Sequence, residues 1–231
     1  MVGTRAYEWQ IAPFAHLFAR YWGPETVTWY GDDHAKPLPD NVAFRRIPGW
    51  VWYKGFGRGL LRVLEELEGD VFCLFLLDHW ISRPVDREGV DTLRGYVEGN
   101  RVLRGNLWSD FNICIYQDAE KVGEAGGLEF WTVPANHPHH SLMGGMTFSP
   151  ALWDRRLLAP LIEPEWDLWE CEALGTAKLW HMADAPISVG TRPHLLDMAH
   201  VHRHASVGGL HHLQFLRPGD RAEALRLAGR S

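Results

Sequence analysis

Cysteine is scarce in this chain of 231 residues: Cys73, Cys114 and Cys171 are odd in number and widely spaced. That pattern excludes a disulfide frame and a cysteine-based zinc site, and reads as reduced, buried thiols in a cytoplasmic protein. Long apolar runs are missing as well. The run Val71–Leu77 is far too short to span a bilayer, and no signal peptide is expected from the opening residues. Positive charge is in deficit, with 23 Lys+Arg against 29 Asp+Glu and a net charge of −6. This argues against broad electrostatic coating of nucleic acid and leaves a local basic groove open. No Ser-rich or charge-run linker and no internal repeat is found, so residues 1–231 are expected to form a single domain. Neither the P-loop nor the G-x-G-x-x-G spacing is present.

What the chain does contain is aromatic. It has 12 Trp, a surplus that serves packing first but also suits stacking on bases or sugar faces. A hydrophobic content of 46% and a mean hydropathy of −0.22 describe an ordinary soluble globule. Of the 13 His, eight gather late, at 137–140, 200–204 and 211–212.

The element around which the rest is arranged is Val71–Leu77, followed by Asp78-His79-Trp80. A run that apolar, without alternation, predicts a central strand buried on both faces of a parallel sheet. Ligands gather beyond the carboxyl ends of such strands, which makes Asp78 a candidate for a metal, a sugar hydroxyl or a phosphate-bound cation at the floor of the main cleft. The alternative role for Asp78 is to cap the turn at Ser82-Arg83-Pro84. Helical spacing is predicted over Phe14–Trp22 with Pro13 in its first turn, over Leu60–Leu67, and from an Asp86 cap through Glu98. Strands are predicted at Val27–Tyr30, Val42–Ile47, Arg101–Trp108, Phe111–Tyr116, Leu128–Val133, Ser141–Phe148, Leu179–Met182 and Leu195–His202. Lys121–Gly127 reads as a polar turn and 134–140 as a loop. Ser149 and Pro150 read as the start of a helix to Leu158, Glu165–Thr176 as another, and Asp220–Glu223 as a capping-box-like start of a last one. Asp32-Asp33 after a strand and Gly31 suits a turn better than a metal. In Trp50–Gly59, glycines would let the backbone approach a ligand, with Lys54 and Arg58 meeting phosphate oxygens.

Four stretches in order carry a resemblance. They are Tyr7 with Phe14-Ala-His-Leu-Phe-Ala-Arg-Tyr-Trp22, Val27–Gly31 and Leu38-Pro-Asp-Asn41; Phe75-Leu-Leu-Asp-His-Trp-Ile-Ser-Arg-Pro-Val-Asp86; Ser141-Leu-Met with Ala151-Leu-Trp153 and Leu157-Leu158; and Trp169-Glu-Cys-Glu-Ala-Leu-Gly-Thr176. Together they resemble small phage and bacterial glycosyltransferases of the GT-A type. The resemblance implies an α/β, Rossmann-like domain with a central, mostly parallel mixed sheet. It also implies an inverting enzyme that moves a sugar from a nucleotide donor, such as a UDP-sugar, to an acceptor hydroxyl. It places Asp78 beside the donor diphosphate and a divalent metal (Mn or Mg), and His202 as a late metal ligand. Glu172 becomes the general base facing the acceptor, partly desolvated by Trp166 and Trp169 and followed by Gly175-Thr176. Glu170, on a diverging face, is solvated or a structural partner. Tyr7, Lys54, Arg58, His79 and Arg83 make up the donor-binding set.

The sequence departs from the family pattern at Leu77, where a second acid is usual, and at Trp80, which closes what would be Asp-x-Asp. Two ways of offsetting the diphosphate charge follow: a metal with His79 as substitute ligand, or a clamp of Lys54 and Arg58. The acceptor is open between a hydroxymethylated pyrimidine in phage DNA, a glycan and a small alcohol. For DNA, Arg45-Arg46, Arg101, Arg104 and Arg155-Arg156 would form a basic rim. The competing readings are a metal-dependent hydrolase using the His clusters and a non-catalytic carbohydrate- or nucleic-acid-binding module.

Overall fold

The apolar run 71–77 serves two cores in succession. In the computed structural model, which describes residues 1–3, 5–50, 54–108, 118–133, 145–201, 213 and 215–229, the chain divides into two compact units. Val71–Leu74 belongs to one of them and Phe75–Val85 to the other.

The larger unit (Trp50–Leu74 and Asp86–Leu195) is α/β, built on a mixed six-stranded sheet. Its strands are β3 (Val71–Leu74), β5 (Val102–Asn106), β6 (Glu120–Ala125), β7 (Leu128–Thr132), β8 (Ala151–Asp154) and β9 (Ile187–Arg192), in the order β3-β8-β5-β9-β7-β6. Among the described residues only its β5–β9 pair is parallel; β3–β8, β5–β8, β7–β9 and β6–β7 are antiparallel. The expected mostly parallel sheet is therefore corrected to a mostly antiparallel one. The expected central strand is corrected too: among the described residues β3 lies at a sheet edge, with Val71, Phe72 and Cys73 half-buried. Lack of alternation signalled a handover between cores, not burial on both faces.

Helix α3 (Arg87–Gly99) lies against this sheet through Val90, Leu93 and Val97. Asp86 caps it by accepting from the Gly89 N–H at 2.9 Å. Leu93 and Val97 are wholly buried, each burial worth about 1.5–3 kcal/mol. Leu93 packs so closely on β5 that a Cβ on Gly105 would lie 2.9 Å from its Cδ1. Helix α2 (Phe56–Glu66) packs with α5 (Leu168–Trp180), whose capping box pairs Asp167 with Glu170.

Other local expectations change here. Ala151–Asp154 is a buried strand between β3 and β5, not a helix, and α4 spans only Arg155–Leu158, capped by Asp154. Burial of Leu152 and Trp153 in the sheet overrides the Ser-Pro helix start. Leu179–Met182 is no strand: α5 runs on to Trp180 because Leu168, Cys171, Gly175 and Leu179 continue one buried face. Residues 121–125 are an exposed, charged edge strand, β6, and the turn is confined to Gly126-Gly127 at φ +54° and +80°. Residues 145–148 are irregular, and the expectations at 111–116, 134–140 and 141–144 lie outside the described residues.

The smaller unit (Met1–Gly49, Phe75–Val85, Leu196–Ser231) has a 3-10 helix, Arg5–Gln10, leading into α1 (Ile11–Tyr21). It pairs β1 (Val27–Gly31) in parallel with β2 (Val42–Arg46), and β4 (His79–Ile81) antiparallel with β10 (Met198–His200). Phe75 sits among the rings of Phe14, Phe18 and Trp22. The last helix, α6 (Pro218–Leu227), packs on α1. Asp220 forms no capping box there; it is buried and receives the Tyr21 hydroxyl and the Arg20 Nε. Among the described residues, no helix is long and apolar enough to cross a membrane.

Candidate functional site

Asp78 occupies the turn between the apolar run and β4. Its backbone carbonyl accepts from the Val201 N–H at 2.7 Å, which ties the turn to the end of β10. Its carboxylate stands 3.5 Å from the Nδ1 of His79, and the two side chains are 14% and 6% exposed. A carboxylate and an imidazole this close and this sheltered can share a proton or face one cation together. Trp80, where the family pattern expects a second acid, is a core indole: it is wholly buried, donates Nε1–H to the Leu77 carbonyl at 3.1 Å and meets Trp9 edge-on. Leu77, the other departure, is buried against Gly3. Trp80 and Leu77 thus each serve packing.

Tyr7, in the 3-10 helix, is half-buried, and exposed Arg83 lies 3.7 Å from Asp197. These two residues share the smaller unit with Asp78 and His79, whereas Lys54, Arg58 and Glu172 belong to the larger one. His202 lies outside the described residues. Among the described residues no three His, Cys, Asp or Glu side chains form a metal-holding group.

Glu172 lies on α5, two positions past Glu170, whose carboxylate belongs to the capping box. Glu172 accepts the Phe148 backbone N–H at 2.7 Å. One turn on, the Thr176 hydroxyl oxygen accepts the Met146 N–H at 2.8 Å, and between them Arg104 donates to the Thr147 carbonyl at 2.7 Å. Three consecutive backbone groups are thus held by three side chains from two elements. Arg104 is wholly buried on β5, with its guanidinium carbon 5.7 Å from the Trp153 ring centre. Burial lowers its pKa to about 10, opposed by the nearby Glu172 charge. Such a buried cation needs an anion in range, and Glu172 supplies it. The reading of Arg104 as part of a basic rim is corrected accordingly. The signal for this was its place inside the apolar strand Val102–Asn106. Trp169 is 42% exposed, so it shelters Glu172 less than the helical spacing implied.

The glycines of 55–59 face protein, not open space. Gly55 takes φ +77°, a Cβ on Gly57 would collide with the Glu163 backbone carbonyl, and a Cβ on Gly59 would strike the Trp50 indole. The Gly57 and Arg58 N–H groups donate to the carbonyls of Trp166 and Pro164. Arg58 reaches Glu165 at 3.5 Å with both side chains exposed, a pair worth little in stability. Lys54 is exposed. Of the other arginines proposed for a nucleic-acid rim, Arg101 meets Asp184, Arg155 and Arg156 meet Asp70, Arg156 also meets Asp154, and Arg46 meets the Asp32 carbonyl. Burial, aided by neighbouring acids, pushes the Cys171 thiol up to about 12, which leaves it unreactive.

A shallow cavity of about 610 Å³ opens on the larger unit beside α5, walled by Leu161, Trp166, Leu174, Ala177, Lys178 and Met182. Among the described residues, Trp166, expected beside Glu172, lines it, and none of the expected catalytic or donor-binding side chains does.

No protein-family profile and no curated protein matches the chain. It is similar to a solved structure described as a mycobacterial protein, at 13% identity and a TM-score of 0.47, covering 100% of this chain and 73% of that one.

Proposed function

We propose that the chain is a nucleotide-sugar-dependent, inverting glycosyltransferase of the GT-A type, acting in the cytoplasm. The observation that supports this most is the sheltered Asp78–His79 pair, 3.5 Å apart, inside the second of four motif stretches that occur in the order of that family. In this reading Asp78 stands by the donor diphosphate. Its charge is offset through a divalent cation, Mn or Mg, with His79 and His202 as further ligands, or through Lys54 and Arg58. Tyr7 and Arg83 complete the donor set, and Glu172 takes the acceptor proton. Among acceptors, a glycan or small alcohol is favoured over hydroxymethylated pyrimidine DNA. The rim that DNA would need loses Arg104 to the core and Arg101, Arg155 and Arg156 to carboxylates.

The test is a panel of nucleotide sugars, with and without Mn²⁺, offered with modified DNA, glycan and alcohol acceptors and read by calorimetry and mass spectrometry. Saturable donor binding and a product heavier by one sugar are expected. A panel in which no donor binds or is consumed ends the proposal.

A further inference from the structure

Helix α5 leaves several large apolar side chains exposed along and just past its length. Its buried stripe is Leu168, Cys171, Gly175 and Leu179, yet Trp169, Leu174, Trp180 and Met182 are 42%, 43%, 49% and 39% exposed. Two other large hydrophobic residues are this exposed among the described residues, Val122 and Phe215, so the helix and its end carry most of that surface. At about 100° per residue, Trp169 and Trp180 fall roughly 120–140° around the helix from Leu174 and form a strip apart from it, so the apolar surface at the centre is Leu174 itself, with Met182 past the helix end. The shallow cavity beside Leu174 gives the surface a concavity for an apolar side chain to enter.

The charges around Leu174 name the occupant. Glu170 and Asp167 stand four and seven positions before it, and Lys178 and His181 stand four and seven after. At about 100° per residue, all five fall within a sector of roughly 80°. Glu170, Leu174 and His181 are exposed, and Asp167 and Lys178 half-buried. The pattern is a palindrome of acids before Leu174 and basic side chains after it. A two-fold axis at Leu174 would lay two such helices antiparallel, with Glu170 against Lys178 and Asp167 against His181, each pair occurring twice. That self-complementarity is what an isologous interface requires. The helix dipole favours acids at the start and bases at the end of any helix, but it does not account for exposed Leu174 and Met182 between and beside them. Lys178 already meets Glu163 and lies 4.9 Å from the Trp166 ring centre; its three donors let it bridge a second carboxylate.

We propose that α5 is a self-association helix, on which a second copy of this chain docks antiparallel about Leu174. This is independent of the transferase reading. Sedimentation velocity of the full chain over a concentration series should show a monomer–dimer equilibrium. Leu174→Arg should weaken it by about tenfold or more, with the circular dichroism unchanged. Lys178→Glu should weaken it as well, and adding Glu170→Lys should recover it by exchanging the partners of the pair. Loss of the capping box in that double variant would show in its thermal midpoint and not in the recovered association. A chain that stays monomeric at every concentration, a dimer indifferent to Leu174→Arg, or a double variant no better than the single one overturns the proposal.

Discussion

Phe148 donates its backbone N–H to the Glu172 carboxylate at 2.7 Å, so the proposed base is also an anchor. Substituting Gln separates the two roles, because the side-chain carbonyl can still accept that hydrogen bond. Glu172→Gln removes the charge that offsets buried Arg104, and a stability loss of about 1–3 kcal/mol is expected. Transfer per folded molecule should fall roughly 10²-fold or more, the scale for losing a positioned base. Glu170→Gln, which alters the capping box and the proposed docking face but not the acceptor side, should leave transfer nearly intact. Greater damage from Glu170→Gln would reverse the assignment.

Asp78→Asn keeps the size of the side chain and deletes its charge. Near a diphosphate-bound cation that charge is a large local term, so donor affinity should drop by about tenfold, or 1.4 kcal/mol. Titration of the donor with and without chelator divides the cases. Turnover indifferent to chelator assigns the diphosphate to Lys54 and Arg58, and unchanged affinity in the Asn variant removes Asp78 from the site.

Much of the local structure was legible because it depends on neighbours in sequence. The spacing of Val90, Leu93 and Val97 behind an Asp86 cap is visible in the residues and recurs in α3. Failures came where distant residues decide. Ser149-Pro150 has the chemistry of a helix start, but Ala151–Asp154 is flanked by two strands more than forty positions away, and their hydrogen bonds win. The run 71–77 has no internal mark of the point where one core ends and the other begins. For the site, the Asp78–His79 adjacency was visible, whereas the tie from Glu172 to Phe148 joins residues 24 apart through no motif.

Gly57 tests how α2 is seated. In an exposed helix interior, Gly→Ala gains about 1 kcal/mol from helix propensity. Here the added Cβ would meet the Glu163 backbone carbonyl, which cannot move without breaking the 163–166 turn. Gly57→Ala should therefore be destabilising by about 1–3 kcal/mol in urea unfolding, the usual cost of overpacking. A variant as stable as the parent would mean that the close approach of α2 to residues 163–166 is absent in solution.

Tyr21 and Asp220 give a prediction with a sign in pH. The Tyr21 hydroxyl donates to the buried Asp220 carboxylate, which also receives the Arg20 Nε at 3.0 Å. Burial first, then the bond to Asp220, raises the Tyr21 pKa above its ordinary value of 10.0. Tyr21→Phe removes a hydrogen bond to a charged group, so it should cost about 1.5–3 kcal/mol near neutral pH. Because the folded pKa is the higher one, this stabilisation is fully present below the unfolded value. Above it, the unfolded tyrosine ionises while the folded one stays protonated, and the contribution is lost as pH rises toward the folded pKa. Urea unfolding of parent and variant at about pH 8 and again at about pH 11 should show the gap between them narrowing. A gap that widens with pH, or one missing at both, would show that Tyr21 does not donate to Asp220 in the folded chain.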